Sequence, residues 1–540
     1  MKNTKSILLI LCCLFLLSLS LRLFRLGTAP ESTTWDETAL GYNTYSLSLT
    51  GADEYGVSFP LLLKSFNDYK PALYPYLSIP FIRLFGLSIT STRLLSAFSG
   101  ASLVFSLYLF TKNLTNNTRT ALVASLLSVA SPLLLLYSRM ALEANLSLAL
   151  FIAGTALVFT PIPKSFRYPL GLIFLALSAY AYHSARYIVP FAVLASLLLP
   201  TPIKERSFKL KSLLLLFLLY LPLFYFILNP AFNTRFSQTS LFTNRQIIFG
   251  SFASLGTTSQ LLTFLSRSYF YLLDFSGRYL GYFNPFELFI KASGHPSYRV
   301  EQLGIYNLVE IIPWFVGVII LLKKWRHFLP FLLIILITPV PASLTVDWFI
   351  ALRASLLWPL FVVVSAIGVE YLINLKLNSK TIILRIVIML MWLFYAGKAL
   401  ETVIIYHPYV NAGAYQYGFA QAIPFVKSIQ NKYDKVIIDS PHAQPYIFLL
   451  FYSAFPPSEY QKINQIRQID FVKHTNYDFG PYTFSKIYFP TDRHQKNTLF
   501  LGSIFSLPQD QLNNAADIAF VKDFYYPDGS ISFRVVATKP

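Results

Sequence analysis

Met1–Phe24 reads MKNTKSILLILCCLFLLSLSLRLF, a short basic start followed by an apolar run of the length that crosses a bilayer as one helix. The charged start and apolar core have the form of a signal peptide, but no convincing small-x-small cleavage site follows. The stretch is therefore expected to stay as a first span, with Lys2 and Lys5 in the cytoplasm. Similar runs recur along the 540 residues, of which 55% are hydrophobic, 17% aromatic and only 13% charged. That composition describes a polytopic α-helical membrane protein. The formal charge of +19 does not argue for nucleic acid, because the basic residues concentrate in short loops between apolar spans, where membrane orientation calls for them. The only cysteines, Cys12 and Cys13, are adjacent within the first run, so neither a disulfide framework nor a thiolate metal site is available.

Working outward, the positive-inside rule orders the loops. With the first lysines inside, WDETALGYNTYS falls outside, and TKNLTNNTR, carrying Lys112 and Arg119, returns inside. One crossing fits between them, so Pro71–Leu87, with Pro75, Pro80 and Arg83 in it, reads as a helix lying in the outer interface. PIPKSFR, TPIKERSFKLK, KKWRH and NLKLNSK are basic and inside, whereas SRMALEANL, YHSARY and TVDWFIALR fall outside. About eleven spans result. The expected organisation is a transmembrane part over 1–400, with outer loops at 27–90 and 229–306, and an extracytoplasmic domain over 401–540. In that last part KVIID and TLFLG read as strands, PYIFLLFYSAF as a helix, and YYPDGSISFRVV as a hairpin around Pro527, Asp528 and Gly529, together a small α/β domain. There is no low-complexity segment and no internal repeat.

Thr33–Gly56, TTWDETALGYNTYSLSLTGADEYG, gathers Asp36, Glu37, Asp53 and Glu54, four of the chain's 25 acids, in the first outer loop. Glu143 lies on the same face where a later span begins. So do Lys64, Lys70, Arg83, Arg93, Arg139, Arg186 and Arg353, bases that oppose the orienting charge bias. An anionic ligand at the outer interface would account for them.

TTWDETALGYNTYSL, the fifty residues from Gly51 to Gly100, SRMALEANLSL, YAYHSARYIVP and TVDWFIALRASLLWPLFVVVSAIGVEYL together resemble the C-class membrane glycosyltransferases. Within that class the similarity is to the branch of protein O-mannosyltransferases and lipid A aminoarabinose transferases, and it spans roughly the first 375 residues. No single motif carries it; the order Asp-Glu, Lys-Pro, LFG and TRLLSA does. The resemblance implies a polyprenyl-phosphate sugar as donor, inversion at the anomeric carbon, reaction at the outer face, and an acceptor that is protein, lipid or glycan.

By family position Asp36 is the catalytic base. A partly desolvated carboxylate, its proton affinity raised, suits that role, while the residues alone leave open a cap for a helix starting near Thr38. Glu37 is its structural partner and, with Glu143, is counted among the acids on the acceptor side. Lys70 in DYKPALY matches the lysine facing the donor phosphate, where positive charge aids the leaving group; the other reading is a snorkelling lysine. Arg353 resembles a family arginine suited to bidentate phosphate contact, or else anchors a lipid headgroup. Arg93 is grouped with these phosphate ligands. Glu143 matches a second family acid, with acceptor orientation, a cation site and a helix-start carboxylate all open. His183 and Arg186 are substrate contacts or interfacial residues, and His295 and Arg299 lie in the long outer loop, which in relatives covers the site. No cofactor is expected, and no acid cluster has the spacing of a divalent-cation site.

A transporter or flippase of lipid-linked sugars is the rival class. Transporters place binding groups near the midplane on broken helices and often show repeated halves; here the ionisable residues gather at span ends on one side. A receptor sensing through its carboxyl-terminal domain would leave the charged outer loops unexplained.

Overall fold

The computed structural model describes residues 2–66, 68–160, 166–199, 203–227, 239–253, 260–375, 379–440, 444–467, 477–513 and 515–540. Parts of three expected basic loops (161–165, 201–202, 376–378) and of the long outer stretch (229–238, 254–259) lie outside those residues. The chain packs into two compact units, Met1–Phe24 with Ser96–Val403, and Arg25–Leu95 with Ile404–Pro540.

The first unit is helical. Among the described residues of the chain, five helical stretches are long and apolar enough to cross a bilayer: Thr4–Leu23, Ile89–Thr115, Trp325–Ser343, Ser355–Asn374 and Arg385–Val410. Shorter apolar helices, among them Glu143–Val158 and Arg167–Ala181, add to them. Helix is the form this composition requires, since hydrocarbon offers backbone N–H and C=O groups no partner. The chain turns where the polar loops were read. Asn117 caps the helix after TKNLTNNTR, its Oδ1 accepting from Arg119 N at 2.8 Å. Arg167–Ala181 and Ala185–Leu197 meet at Tyr182–Ser184, and Lys324 divides Ile311–Lys323 from Trp325–Ile337. Ile311–Lys323 packs on Trp358–Asn374 through small residues: a Cβ on Gly368 would stand 1.8 Å from the Pro313 carbonyl oxygen, and one on Gly317 2.0 Å from that of Val364. Only glycine permits that backbone approach, which replaces the hydrophobic drive that lipid does not supply.

The second unit holds a six-stranded sheet. We label its elements β1 (Leu62–Ser65), β2 (Asp68–Pro71), β3 (Lys435–Asp439), β4 (Tyr477–Phe479), β5 (Tyr482–Ser485), β6 (Thr498–Gly502), β7 (Ile518–Tyr525) and β8 (Ile531–Thr538). Its helices are α1 (Trp35–Thr50), α2 (Leu73–Phe85), α3 (Tyr417–Ile429), α4 (Pro445–Tyr452) and α5 (Pro457–Arg467). The sheet order is β4-β5-β3-β6-β8-β7, with β3 parallel to both β5 and β6 and the other pairs antiparallel. The strands read from KVIID and TLFLG are thus central neighbours, and β7 and β8 form the hairpin turning at Gly529, whose φ of 85° suits glycine. The helix read over Pro71–Leu87 is α2, and a β1–β2 hairpin precedes it, Leu63 opposite Lys70.

α1 shares the core of this unit. Its Ala39 and Tyr42 pack with Phe419, Ile447, Phe448 and Phe451. Tyr42 donates to the Phe455 carbonyl at 3.0 Å, and Gln461 Nε2 donates at 2.9 Å to Ser46 Oγ, Thr50 Oγ1 and the Asp53 carbonyl. A Cβ on Gly41 would meet the Phe451 ring at 2.5 Å, so glycine sets how closely the helix docks. Buried along most of its length, α1 satisfies its polar side chains on its own preceding turn: Thr38, Asn43 and Thr44 donate to the carbonyls four residues back at 2.7–2.9 Å.

Candidate active site

The amino end of α1 builds the site. Thr34 caps the helix, its Oγ1 accepting from Glu37 N at 3.3 Å while Glu37 Oε2 accepts from Thr34 N at 3.2 Å. This reciprocal pair satisfies two backbone donors that a helix start leaves open. The cap is therefore not Asp36, and its carboxylate faces outward from the first turn to form an ion pair with Lys70 Nζ. The β1–β2 hairpin brings Lys70 there, and the Phe66 ring, 5.9 Å from Nζ, flanks it. Lys70 is nearly buried, whereas the Asp36 side chain keeps 30% of its surface exposed, open to a reactant. A helix amino end and an ammonium both favour negative charge at this position.

Glu37 and Arg93 form a second pair, and both side chains are fully buried. Arg93 Nε and Nη2 donate to Glu37 at 2.9 and 3.2 Å, Nη1 donates to the Leu26 and Pro30 carbonyls at 3.1 and 2.9 Å, and Nη2 to the Ser32 carbonyl at 2.6 Å. These bonds use the guanidinium's whole donor fork. The phosphate contact expected of Arg93 is corrected accordingly: its donors close the chain leading into α1. Arg139, read among the anion-facing bases, is likewise turned inward. Its Nη1 donates to the carbonyls of Leu21, Arg22 and Phe24 at 3.1, 3.0 and 2.7 Å, covering acceptors that the helix Lys2–Leu23 leaves unsatisfied at its end.

The other acids of the loop divide. Asp53 shapes a turn, its Oδ1 accepting from Tyr55 N and Val57 N at 2.9 Å each. Burial raises its pKa against the pull of those N–H groups and of Lys64. Glu54 has no exposed surface, its N–H held by Asn43 Oδ1 at 3.0 Å. Burial, and after it the Asp53 charge, pushes the Glu54 carboxyl up to about 8, while Asn43, Lys70 and Lys64 oppose the shift. Tyr446 from α4 meets Tyr55 hydroxyl to hydroxyl at 3.4 Å and packs edge-on to Phe66, with centroids 6.2 Å apart. Phe66, Tyr55 and Tyr446, which no motif in the sequence singles out, flank this end of the site.

The remaining candidates belong to the first unit. Arg353 Nη2 pairs with Asp347 at 2.6 Å, and its Nη1 is buried without a partner among the described residues. Glu143 is half-buried in the first turn of Glu143–Val158, the place of a helix-start carboxylate. Arg186 donates to His183 Nδ1 at 3.0 Å and to the Ala179 carbonyl at 3.1 Å, which fastens the junction of two helices. His295 Nδ1 accepts from Ser297 N at 3.3 Å, and Arg299 pairs with Glu301 at 2.8 Å, so both hold their own loop. Among the described residues no group of three or more His, Cys, Asp or Glu side chains could hold a metal ion.

Residues 69–229 match the family model described as dolichyl-phosphate-mannose-protein mannosyltransferase. ArnT from Cupriavidus metallidurans bound to undecaprenyl phosphate is similar with a TM-score of 0.53 and 11% identity, over 99% of this chain and 98% of that one. Its apo state gives 0.50 and 12% over the same shares. The archaeal oligosaccharyltransferase AglB from Archaeoglobus fulgidus, in complex with an inhibitory peptide and a dolichol-phosphate, gives 0.49 and 13% over 98% of this chain and 74% of that one. No curated protein matches the chain in sequence. The likeness to ArnT runs through the helical part and the carboxyl-terminal domain alike, and with the family-model match it gives the chain the fold of the C-class membrane glycosyltransferases.

Proposed function

We propose that the chain transfers a sugar from a polyprenyl-phosphate donor to an acceptor hydroxyl at the outer membrane face, with inversion, and that Asp36 is the general base. The observation that carries this reading is the Asp36–Lys70 pair, an accessible carboxylate and an ammonium side by side at a helix amino end. The undecaprenyl phosphate bound by ArnT supports a lipid phosphate as the carrier. As the acceptor oxygen attacks the anomeric carbon, its proton passes to Asp36. The bond from that carbon to the phosphate oxygen breaks with its electron pair, and Lys70 stabilises the charge that develops there. One displacement inverts the centre. The balance is complete without a cofactor, and the products are the glycosylated acceptor and polyprenyl phosphate.

Lys70→Met tests the phosphate contact. It is expected to lower release of polyprenyl phosphate by about 10²–10³-fold, the effect of deleting one preorganised donor, while the purified protein keeps its thermal midpoint. Donor kinetics equal to wild type would make Lys70 an anchor only. Acceptor glycosylation, followed by mass spectrometry, separates transfer from transport, because a flippase leaves the phosphate–sugar bond intact.

The outer-face assignment rests on the basic loops and has its own test. A reporter fused after Pro540 is expected to be active only outside the cytoplasm, and one placed within KKWRH only inside. A cytoplasmic Pro540 would overturn the shared-face argument.

A further inference from the structure

The carboxyl end of β3 is a place the proposed chemistry does not use. From β3 the chain passes to α4, whose Ile447 and Phe448 pack on the face of the sheet that carries Val436 and Ile438. From the parallel neighbours β5 and β6 it passes to the opposite face, where Ile487 and Leu507 pack with Ile437 and Phe500. Adjacent parallel strands whose exits part in this way open a crevice at their carboxyl ends, where open α/β sheets bind ligands. α1 packs on the first face through Ala39 and Tyr42, so the exits of β5 and β6 lie across the sheet from it. Polar groups converge at the crevice. Asp439, the last residue of β3 and 6% exposed, accepts from Ile487 N at 3.1 Å and from Ser506 Oγ. One carboxylate thus ties the exit of β5 to that of β6, and these two bonds leave acceptor positions of its oxygens open. Ser440 donates its N–H to the Ser485 carbonyl at 3.2 Å, while its Oγ is buried without a partner among the described residues. The same bonds bring two rings to the rim: Tyr488 follows Ile487 and is 65% exposed, and Phe505 precedes Ser506 and is 89% exposed.

We propose that this crevice binds a sugar unit of a neutral glycan, with Asp439 and Ser440 bonding ring hydroxyls and Tyr488 and Phe505 stacking on the ring. Exposed rings grouped around a polar centre mark a binding surface. A lipid surface selects basic side chains and offers acyl chains, neither of which suits a carboxylate at the centre. A sugar meets both halves of the site: its hydroxyls donate to a carboxylate in charge-assisted bonds, and its C–H faces lie on aromatic rings. Binding here needs neither Asp36 nor a lipid phosphate, so it does not rest on the function proposed above.

Saturation-transfer NMR on the full chain in lipid nanodiscs tests this, with mannotriose, galactotriose and chitotriose as probes. At least one probe is expected to bind, with the strongest transfer on its ring protons. Tyr488→Ala and Phe505→Ala change exposed side chains, so both variants should keep the wild-type thermal midpoint, and each is expected to weaken binding by about tenfold or more, the loss of an anchoring ring. Asp439→Asn keeps an acceptor for Ile487 N but loses the charge, and is expected to weaken binding by a similar factor. Asp36→Asn should bind the probe as wild type does. Binding that falls with Asp36→Asn but not with the ring variants assigns the sugar to the proposed active site and overturns the crevice. Absence of binding by all three probes at millimolar concentration overturns it as well. Hydrogen exchange over 503–507 that slows on passing from detergent to nanodisc, but with no probe, gives the rings to the lipid surface and has the same consequence.

Discussion

Asp36→Asn is expected to insert and fold as wild type does, to bind the polyprenyl-phosphate sugar, and to transfer it about 10²–10⁴-fold more slowly, the range general-base assistance contributes. The geometry makes this a clean substitution. The cap of α1 is made by Thr34 and Glu37, so the helix start does not depend on residue 36. Asparagine keeps an oxygen that can accept from Lys70, and the side chain is partly exposed, so no buried charge is stranded. What is lost is the ability to take a proton. Kinetics with saturating donor, beside a binding measurement on the same preparation, separate that loss from weaker affinity. Transfer within a few fold of wild type would show that Asp36 is not the base. Glu37, sealed against Arg93, has no path to an acceptor, and Glu143 would be the acid to examine next.

Much of the architecture is legible in the sequence because the membrane leaves few choices. Long apolar runs must be helices, and polar punctuation such as TKNLTNNTR or YHSARY marks their ends. The strands of the carboxyl-terminal domain are equally plain, since KVIID and TLFLG are β-branched or apolar runs of strand length. The grouping of the first outer segment with residues 404–540 is not legible. α1 is rich in Thr, Ser, Asn and Tyr and carries no apolar stripe that would announce a buried helix; its polar groups bond to its own carbonyls, and Gly41 with Tyr42 does the docking. Asp36 and Lys70 can each be singled out by residue type and position, but their pairing across 34 residues depends on a short hairpin whose sequence, LKSFNDYK, gives little strand signal. Glu54 and Asp53 are adjacent and look alike. Both are buried, and what sets Asp53 apart is that its Oδ1 accepts from the N–H groups of Tyr55 and Val57.

Arg93 shows the same limit and leads to the largest expected effect on stability. Read as one base among several on the outer side, it is a phosphate ligand; placed, it is an arginine with no exposed surface, bound to Glu37 and three backbone carbonyls. The two roles predict opposite outcomes for Arg93→Met. A phosphate ligand would give a stable protein with weakened donor binding. The buried pair instead leaves the Glu37 carboxylate without its arginine in the core and three carbonyls without this donor, a loss of about 3–5 kcal/mol, or on the order of 10²–10⁴-fold in the folding equilibrium. Thermal unfolding of the detergent-purified protein measures this, and Arg93→Met is expected to melt well below wild type before any donor is added. Glu37→Gln in the same chain should restore part of the loss, because glutamine still completes the cap with Thr34 and no buried charge remains. Recovery in the double variant beyond the sum of the single effects is the signature of a structural ion pair. If Arg93→Met instead melts as wild type does and binds donor weakly, the guanidinium must reach the lipid phosphate, and the chain entering α1 must be closed by other donors.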